Sequence, residues 1–354
     1  MCAGPAGRTQ GSRVPTVTAR GGPGPLSAVL RTADGVPVEA EYRPGPEGDA
    51  GDAPVGAGAG PGPGRGAGGT GTAIVLAHGF TGDLDRPQVR RVAAVLARRA
   101  AVVTFSFRGH GGSGGRSTVG DREVLDLAAA VTWARSLGHL RVVTVGFSMG
   151  GSVVLRHGAE YRTPPGAGGP AVQGAHPARD GGPLGGAEDG AGGPGRTGAH
   201  LGADPWAGAD AVVAVSAPAR WYYRGTAPMR RLHWLVTRPL GRLVGRYGFR
   251  TRIHHRDWDP VPRSPVESVP LIAPAPLLIV HGDRDPYFPL DHPRTLAAAA
   301  APGAAELWLE HGMGHAEHAA TEELLERIGD WIAARTPAAR DARPGGGRGA
   351  AVSG

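Results

Sequence analysis

The chain has one cysteine, Cys2, no lysine and no asparagine, and aromatics are only 5% of its 354 residues. A single thiol excludes a disulfide scaffold and any cysteine-based zinc site. No run of about 18 apolar residues occurs, so no segment reads as a membrane span. The opening MCAGPAGRTQGSRVPTVTARGGPGP lacks the apolar core of a signal peptide, and Cys2 lacks the upstream stretch of a lipoprotein signal. A cytoplasmic location is the resulting expectation. With lysine absent, all 38 basic residues are Arg, set against 31 acidic ones for a net charge of +7. Missing Lys and Asn beside abundant Ala, Gly, Arg and Pro reflect GC-rich coding as much as a basic function. The charge is therefore weak evidence for nucleic acid, no RNP, zinc-finger or basic-zipper pattern supports it, and no nucleic-acid partner is expected.

What is abundant is glycine and proline, 61 and 33 residues. They concentrate in four stretches, about 1–26, 44–71, 162–208 and 337–354, whose composition predicts disordered tails and low-complexity insertions. About 235 residues remain, enough for a single domain spanning 27–336. Within it, 27–43 predicts a β-hairpin around Ala33-Asp34-Gly35. Apolar runs at 73–78, 102–107, 141–147, 211–216, 276–282 and 306–310 then alternate with helical patterns at 87–99, 121–136, 149–159, 291–301 and 319–334. This alternation predicts an α/β fold with a mostly parallel central sheet and helices on both faces. Ligands in such folds sit beyond the strand C-termini.

Gly-x-Ser-x-Gly occurs twice. At this glycine content, context must decide. Gly111–Gly115 around Ser113 lies in a glycine-rich loop with no helix at the serine. Gly146-Phe147-Ser148-Met149-Gly150 ends the run RVVTV and opens the helical pattern MGGSVVLRHGAE, the strand-turn-helix setting of a nucleophile elbow. There the small neighbours let strand and helix approach, and the helix N-terminus favours a developing oxyanion. The competing reading of Ser148 is a helix N-cap. Gly109-x-Gly111-x-x-Gly114 also matches the dinucleotide fingerprint, but no helix follows directly and no strand-end acid follows at the right spacing.

A serine hydroxyl needs a general base, and the base needs an orienting carboxylate. Asp283 and Asp285 follow the strand PLLIVHG; His311, His315 and His318 follow ELWLE. Asp285 is favoured because it sits deeper in a turn braced by Pro286 and Pro289, with an Asx-turn role as the alternative. His315 is favoured because Gly312 and Gly314 give its loop room to swing inward. No acid occurs from Ala211 to Arg256, which excludes the preceding strand as the carboxylate's location. The oxyanion hole needs two backbone N–H donors: Met149 supplies one, and Phe80, in the loop His78-Gly79-Phe80-Thr81-Gly82, the other.

Together, His78-Gly79-Phe80, Arg108-Gly109-His110-Gly111-x-Ser113, the Ser148 elbow, His281-Gly-Asp-x-Asp285 and the His315 loop resemble the α/β-hydrolase superfamily. The likeness is greatest to its bacterial esterase, monoacylglycerol-lipase-like and serine-aminopeptidase-like branches. The resemblance covers about 27–43 and 72–335 apart from the insertion. It implies a Ser148 nucleophile, an Asp285 acid, a His315 base, no cofactor or metal, and a small-molecule acyl substrate. An ester is the expected bond; peptidase, thioesterase and acyltransferase chemistry use the same groups, and a non-catalytic binding protein is the rival of another class.

Residues 219–270 lie where this superfamily places a helical cap. Ten arginines precede the first acid, Asp257, and Trp221, Tyr222, Tyr223, Trp234, Tyr247, Phe249 and Trp258 concentrate there. Met229, Leu232, Leu235 or Val236, Leu240, Leu243, Val244 and Tyr247 fall at helical spacing, with Pro239 opening a second helix. The plain expectation is an amphipathic cap packed on the sheet with a solvated Arg face. The sharper one is attraction of anionic or amphipathic acyl substrates, or peripheral contact with a membrane surface.

Overall fold

The computed structural model describes residues 25–46, 71–162 and 205–336. In chain order run β1 (Leu26–Arg31), β2 (Pro37–Arg43), β3 (Thr72–Ala77), α1 (Pro87–Leu96), β4 (Ala101–Phe105), α2 (Glu123–Ser136), β5 (Arg141–Phe147), α3 (Met149–Glu160) and β6 (Ala211–Val215). There follow α4 (Ala227–Thr237), α5 (Pro239–Gly248), α6 (Pro265–Ser268), β7 (Leu277–Gly282), α7 (Asp291–Ala299), β8 (Ala305–Glu310), α8 (Ala316–Ala319) and α9 (Glu322–Arg335). Strands pair in the order β1-β2-β4-β3-β5-β6-β7-β8. The hairpin and the β2–β4 pairing are antiparallel, and every other pairing is parallel.

Side chains alternate across a strand, so β3 feeds two cores. Ala73, Val75 and Ala77 pack with Val131 and Val153 of α2 and α3, while Ile74 and Leu76 pack with Val92 and Ile328 of α1 and α9. Burial on both faces is why these strands read as continuous apolar runs. Each buried Val, Leu or Ile contributes about 1.5–3 kcal/mol by leaving water.

Departures from the sequence expectations have local causes. β4 stops at Phe105, because Phe107 N–H turns to donate to His78 Nε2 at 3.0 Å. The helix expected over 319–334 divides at extended Ala320; Thr321 then caps α9, its hydroxyl accepting from Leu324 N–H at 3.2 Å. Pro205–Ala207, inside the expected 162–208 insertion, forms a 3-10 turn with Ala207 buried. The rest of that insertion, most of the 44–71 stretch and nearly all of both expected tails lie outside the described residues. Among the described residues no helix is long and apolar enough to cross a membrane.

The cap needs a larger correction. Met229 and Leu235 of α4 are buried, but α5 does not turn its apolar side inward. Gly241 and Gly245 are its buried residues, whereas Leu240, Leu243, Val244 and Tyr247 are exposed. The reason is contact distance. A Cβ on Gly241 would lie 2.4 Å from the Trp234 carbonyl oxygen and 2.7 Å from Leu235 Cα, so only glycine lets α5 lie this close to α4.

Candidate active site

Ser148 stands between β5 and α3 with φ 51° and ψ −112°. A non-glycine residue held there costs on the order of 1–3 kcal/mol. The surroundings enforce it: Ser148 N–H donates to the Val215 carbonyl at 2.9 Å, and a Cβ on Gly150 would meet the Ala77 carbonyl oxygen at 2.2 Å. The Ser148 side chain makes no helix-capping bond, so the N-cap reading does not describe it. Its Oγ instead lies 2.9 Å from His315 Nε2.

His315 Nδ1 lies 2.7 Å from Asp285 Oδ2. A carboxylate only accepts, so Nδ1 carries the proton and Nε2 is free to accept from the Ser148 hydroxyl. Asp285 also fulfils its Asx-turn reading: Oδ1 accepts from the Tyr287 and Phe288 amides at 2.8 and 3.1 Å. Burial pushes the Asp285 carboxyl up, but the His315 bond and charge, the Phe288 amide and His281 outweigh it and hold it below its ordinary value. Tyr287 stacks on the His315 ring at 4.3 Å between centroids.

The rejected alternatives have other partners. Asp283 meets exposed His311 at 2.7 Å and accepts from Gly312 N–H at 2.7 Å, and His318 meets Gln88 at 3.3 Å. Buried Ser113 donates to the Ser106 carbonyl at 2.6 Å and accepts from Glu39 N–H at 3.0 Å, a structural brace. The loop of the dinucleotide-like match leads to α2 only at Glu123.

The loop holding Phe80 is fixed from below. His78 Nδ1 donates to the Gly79 carbonyl at 2.7 Å, while its Nε2 accepts from Phe107 N–H. Burial, with His110 beside it, pushes His78 down to about 3, so the ring is neutral. Among the described residues neither Phe80 nor Met149 donates its amide to any backbone carbonyl of a turn, loop or cap. Cavities of about 540 and 570 Å³ both reach Ser148 and Phe80. Trp221, Tyr223, Trp258 and Met229 line the first; His315, Glu317, Trp234 and Val244 line the second. No cluster of His, Cys, Asp or Glu suited to a metal occurs among the described residues.

The sequence pattern of the Alpha/beta hydrolase family matches residues 74–327. The chain belongs to this family. Its fold is also that of solved α/β hydrolases. The Pyrococcus furiosus esterase Pf2001 aligns at 19% identity and TM-score 0.54, covering 90% of this chain and 98% of that one. Est1E from Butyrivibrio proteoclasticus, solved with ferulic acid bound, aligns at 16% identity and TM-score 0.51, covering 87% and 99%. The α/β hydrolase GrgF from a Penicillium species aligns at 14% identity and TM-score 0.55, covering 88% and 99%. No curated protein sequence matches the chain.

Sequence reasoning missed two supports of this α/β hydrolase site. His281 lies 3.7 Å from Asp285 and donates from Nε2 to the Phe288 carbonyl at 2.8 Å, bracing the acid turn. Glu317, two residues past His315, is buried and accepts from Gly79 N–H at 2.5 Å, tying the histidine loop to the Phe80 loop. Nothing in its sequence context separates it from the surface acids of α9. Burial raises the Glu317 carboxyl above its ordinary value, against the Gly79 bond and the nearby histidines. A raised folded-state value means this group's contribution to stability is fully present below the unfolded carboxylate value and lost as pH rises through the folded one. Glu317→Gln is therefore expected to gain stability over wild type at pH 8, with the gain shrinking towards pH 4, as read by urea unfolding.

Proposed function

We propose that the chain is a serine hydrolase that cleaves carboxylic esters of small or amphipathic acids through an acyl-Ser148 intermediate. The supporting observation is the continuous Ser148–His315–Asp285 relay, with contacts of 2.9 and 2.7 Å at the C-terminal ends of β5, β7 and β8. His315 Nε2 accepts the Ser148 proton as Oγ attacks the ester carbonyl carbon. The oxyanion collects at the Phe80 and Met149 amides, and the α3 N-terminus adds a favourable dipole. His315 then gives its proton to the departing alkoxide, leaving an acyl-serine. Water attacks that carbonyl, its proton passes to His315 and on to Ser148 Oγ, and the acid leaves. Asp285 stays ionised and stabilises the imidazolium throughout.

The aromatic first cavity suits the acyl chain, and exposed Arg224 and Arg256 at its lining suit an acid or polar group at the chain's far end. The exposed apolar face of α5 supports contact of the cap with an amphipathic substrate phase. A panel of p-nitrophenyl esters from acetate to dodecanoate, run beside aminoacyl anilides, tests the reading. Turnover of esters with kcat/KM rising to medium chains is expected. Cleavage of the anilides with the esters inert would replace it with a peptidase.

A further inference from the structure

A further cleft, of about 550 Å³, lies apart from the two cavities that reach Ser148, between α5, Gly115–Arg116 and residues 252–255. Arg116, Arg242, Arg246, Arg252 and His255 line it, and no carboxylate does. Several arginines elsewhere pair with acids: Arg98 with Glu322 and Glu326, Arg135 with Asp210, and Arg156 with Glu160. Among the described residues, none of the four cleft arginines forms an ion pair; Arg242 donates to the Val236 and Thr237 carbonyls and Arg252 to that of Ser113.

The walls are tied in place. Arg252 N–H donates to the Gly109 carbonyl at 2.7 Å, Ser117 N–H returns a bond to the Arg252 carbonyl at 2.7 Å, and Ser117 bridges Ile253 in parallel. Gly245 fits α5 against Ile253, so Arg242 and Arg246, one turn apart, both border the cleft. Like charges gathered without a counter-charge repel one another, and here the fold holds them together. Slight desolvation, then His254, Arg256, Arg116 and Arg242, keep the His255 imidazole below its ordinary value.

We propose that this cleft binds a phosphate-type dianion. The planar guanidinium forks match phosphate oxygens bidentately, and the site is separate from the ester-cleaving machinery. Two carriers share this chemistry, a soluble phosphate monoester and a phospholipid headgroup. The second is consistent with exposed Leu240, Leu243, Val244 and Tyr247 on the same helix.

Isothermal titration of the full chain with inorganic phosphate, at ionic strength fixed with chloride, tests the site. Saturable binding is expected, weakened at least about tenfold in Arg116→Ala/Arg246→Ala because two charge-assisted donors are lost. Arg31→Ala/Arg294→Ala removes the same charge from β1 and α7 and is expected to bind as wild type does. Wild-type heats no different from those of added chloride, or an equal loss in the second pair, would overturn the site. Sedimentation with phosphatidylcholine vesicles carrying some phosphatidic acid separates the carriers. Binding that inorganic phosphate displaces assigns the headgroup; phosphate binding without vesicle binding assigns a soluble ester. Hydrolysis of p-nitrophenyl esters by the Arg116/Arg246 variant should match wild type, so failure of this site and failure of the esterase reading are told apart.

Discussion

Ser148→Ala is expected to abolish fluorophosphonate labelling and to lower ester hydrolysis by on the order of 10⁴-fold or more, with KM little changed. The substitution removes only Oγ, the atom 2.9 Å from His315 Nε2, and leaves the Cβ and the strained φ in place. The fold should be unaffected, and the thermal midpoint should stay close to that of wild type. Asp285→Asn is expected to cost about 10⁴-fold for another reason: its amide can donate to Nδ1, selecting the tautomer whose Nε2 already holds a proton. His315→Ala belongs to the same unit, so combining it with Ser148→Ala should add almost nothing. Labelling that persists in Ser148→Ala would move the nucleophile elsewhere. A wild-type chain that takes no label and turns over no ester would favour the non-catalytic binding reading.

How far the sequence foretold this arrangement depended on the range of the interactions. Gly146, Ser148 and Gly150 form a local pattern: strand, elbow and helix are contiguous, so the periodicity on either side identifies the serine. Asp285 and His315 were legible because each follows a strand end, and parallel strands bring their C-terminal ends to one edge. Glu317 was not legible, since its partner is Gly79, 238 residues away, and a carboxylate two residues past a histidine resembles any surface acid. The orientation of α5 escapes the sequence pattern for a related reason. Leu240, Leu243, Val244 and Tyr247 share one helical face, which periodicity alone assigns to a core. The inward face was set by Gly241 and Gly245, whose role depends on the closeness of α4 and Ile253 and leaves no hydrophobic signature. Helix spacing shows which residues share a face. It does not show which face meets a partner.

The largest expected loss of stability comes from Arg108, outside the relay. Its guanidinium, 3% exposed, donates to Asp126 at 2.8 and 3.0 Å and to Asp34 at 2.7 and 3.0 Å, and its own amide donates to Asp126 at 2.8 Å. Arg108→Ala would leave Asp126 buried without its counter-charge, so a loss of about 3–5 kcal/mol is expected, or roughly 10 °C in thermal midpoint. Burial raises the Asp126 carboxyl to about 7 even with Arg108 opposing, and removing the arginine should raise it further. A raised acid protonates readily in the folded state, so its contribution is kept at low pH and lost as pH rises. The Arg108→Ala deficit should therefore be smaller at pH 5 than at pH 8, as urea unfolding at the two values would show. Arg108→Leu/Asp126→Leu, which removes both charges, should recover part of the loss; a deficit below about 1 kcal/mol in Arg108→Ala would mean that water reaches Asp126 and replaces the pair. The effect should extend to the site through one covalent step, because Phe107, whose amide donates to His78 beneath the Phe80 loop, precedes Arg108 in the chain.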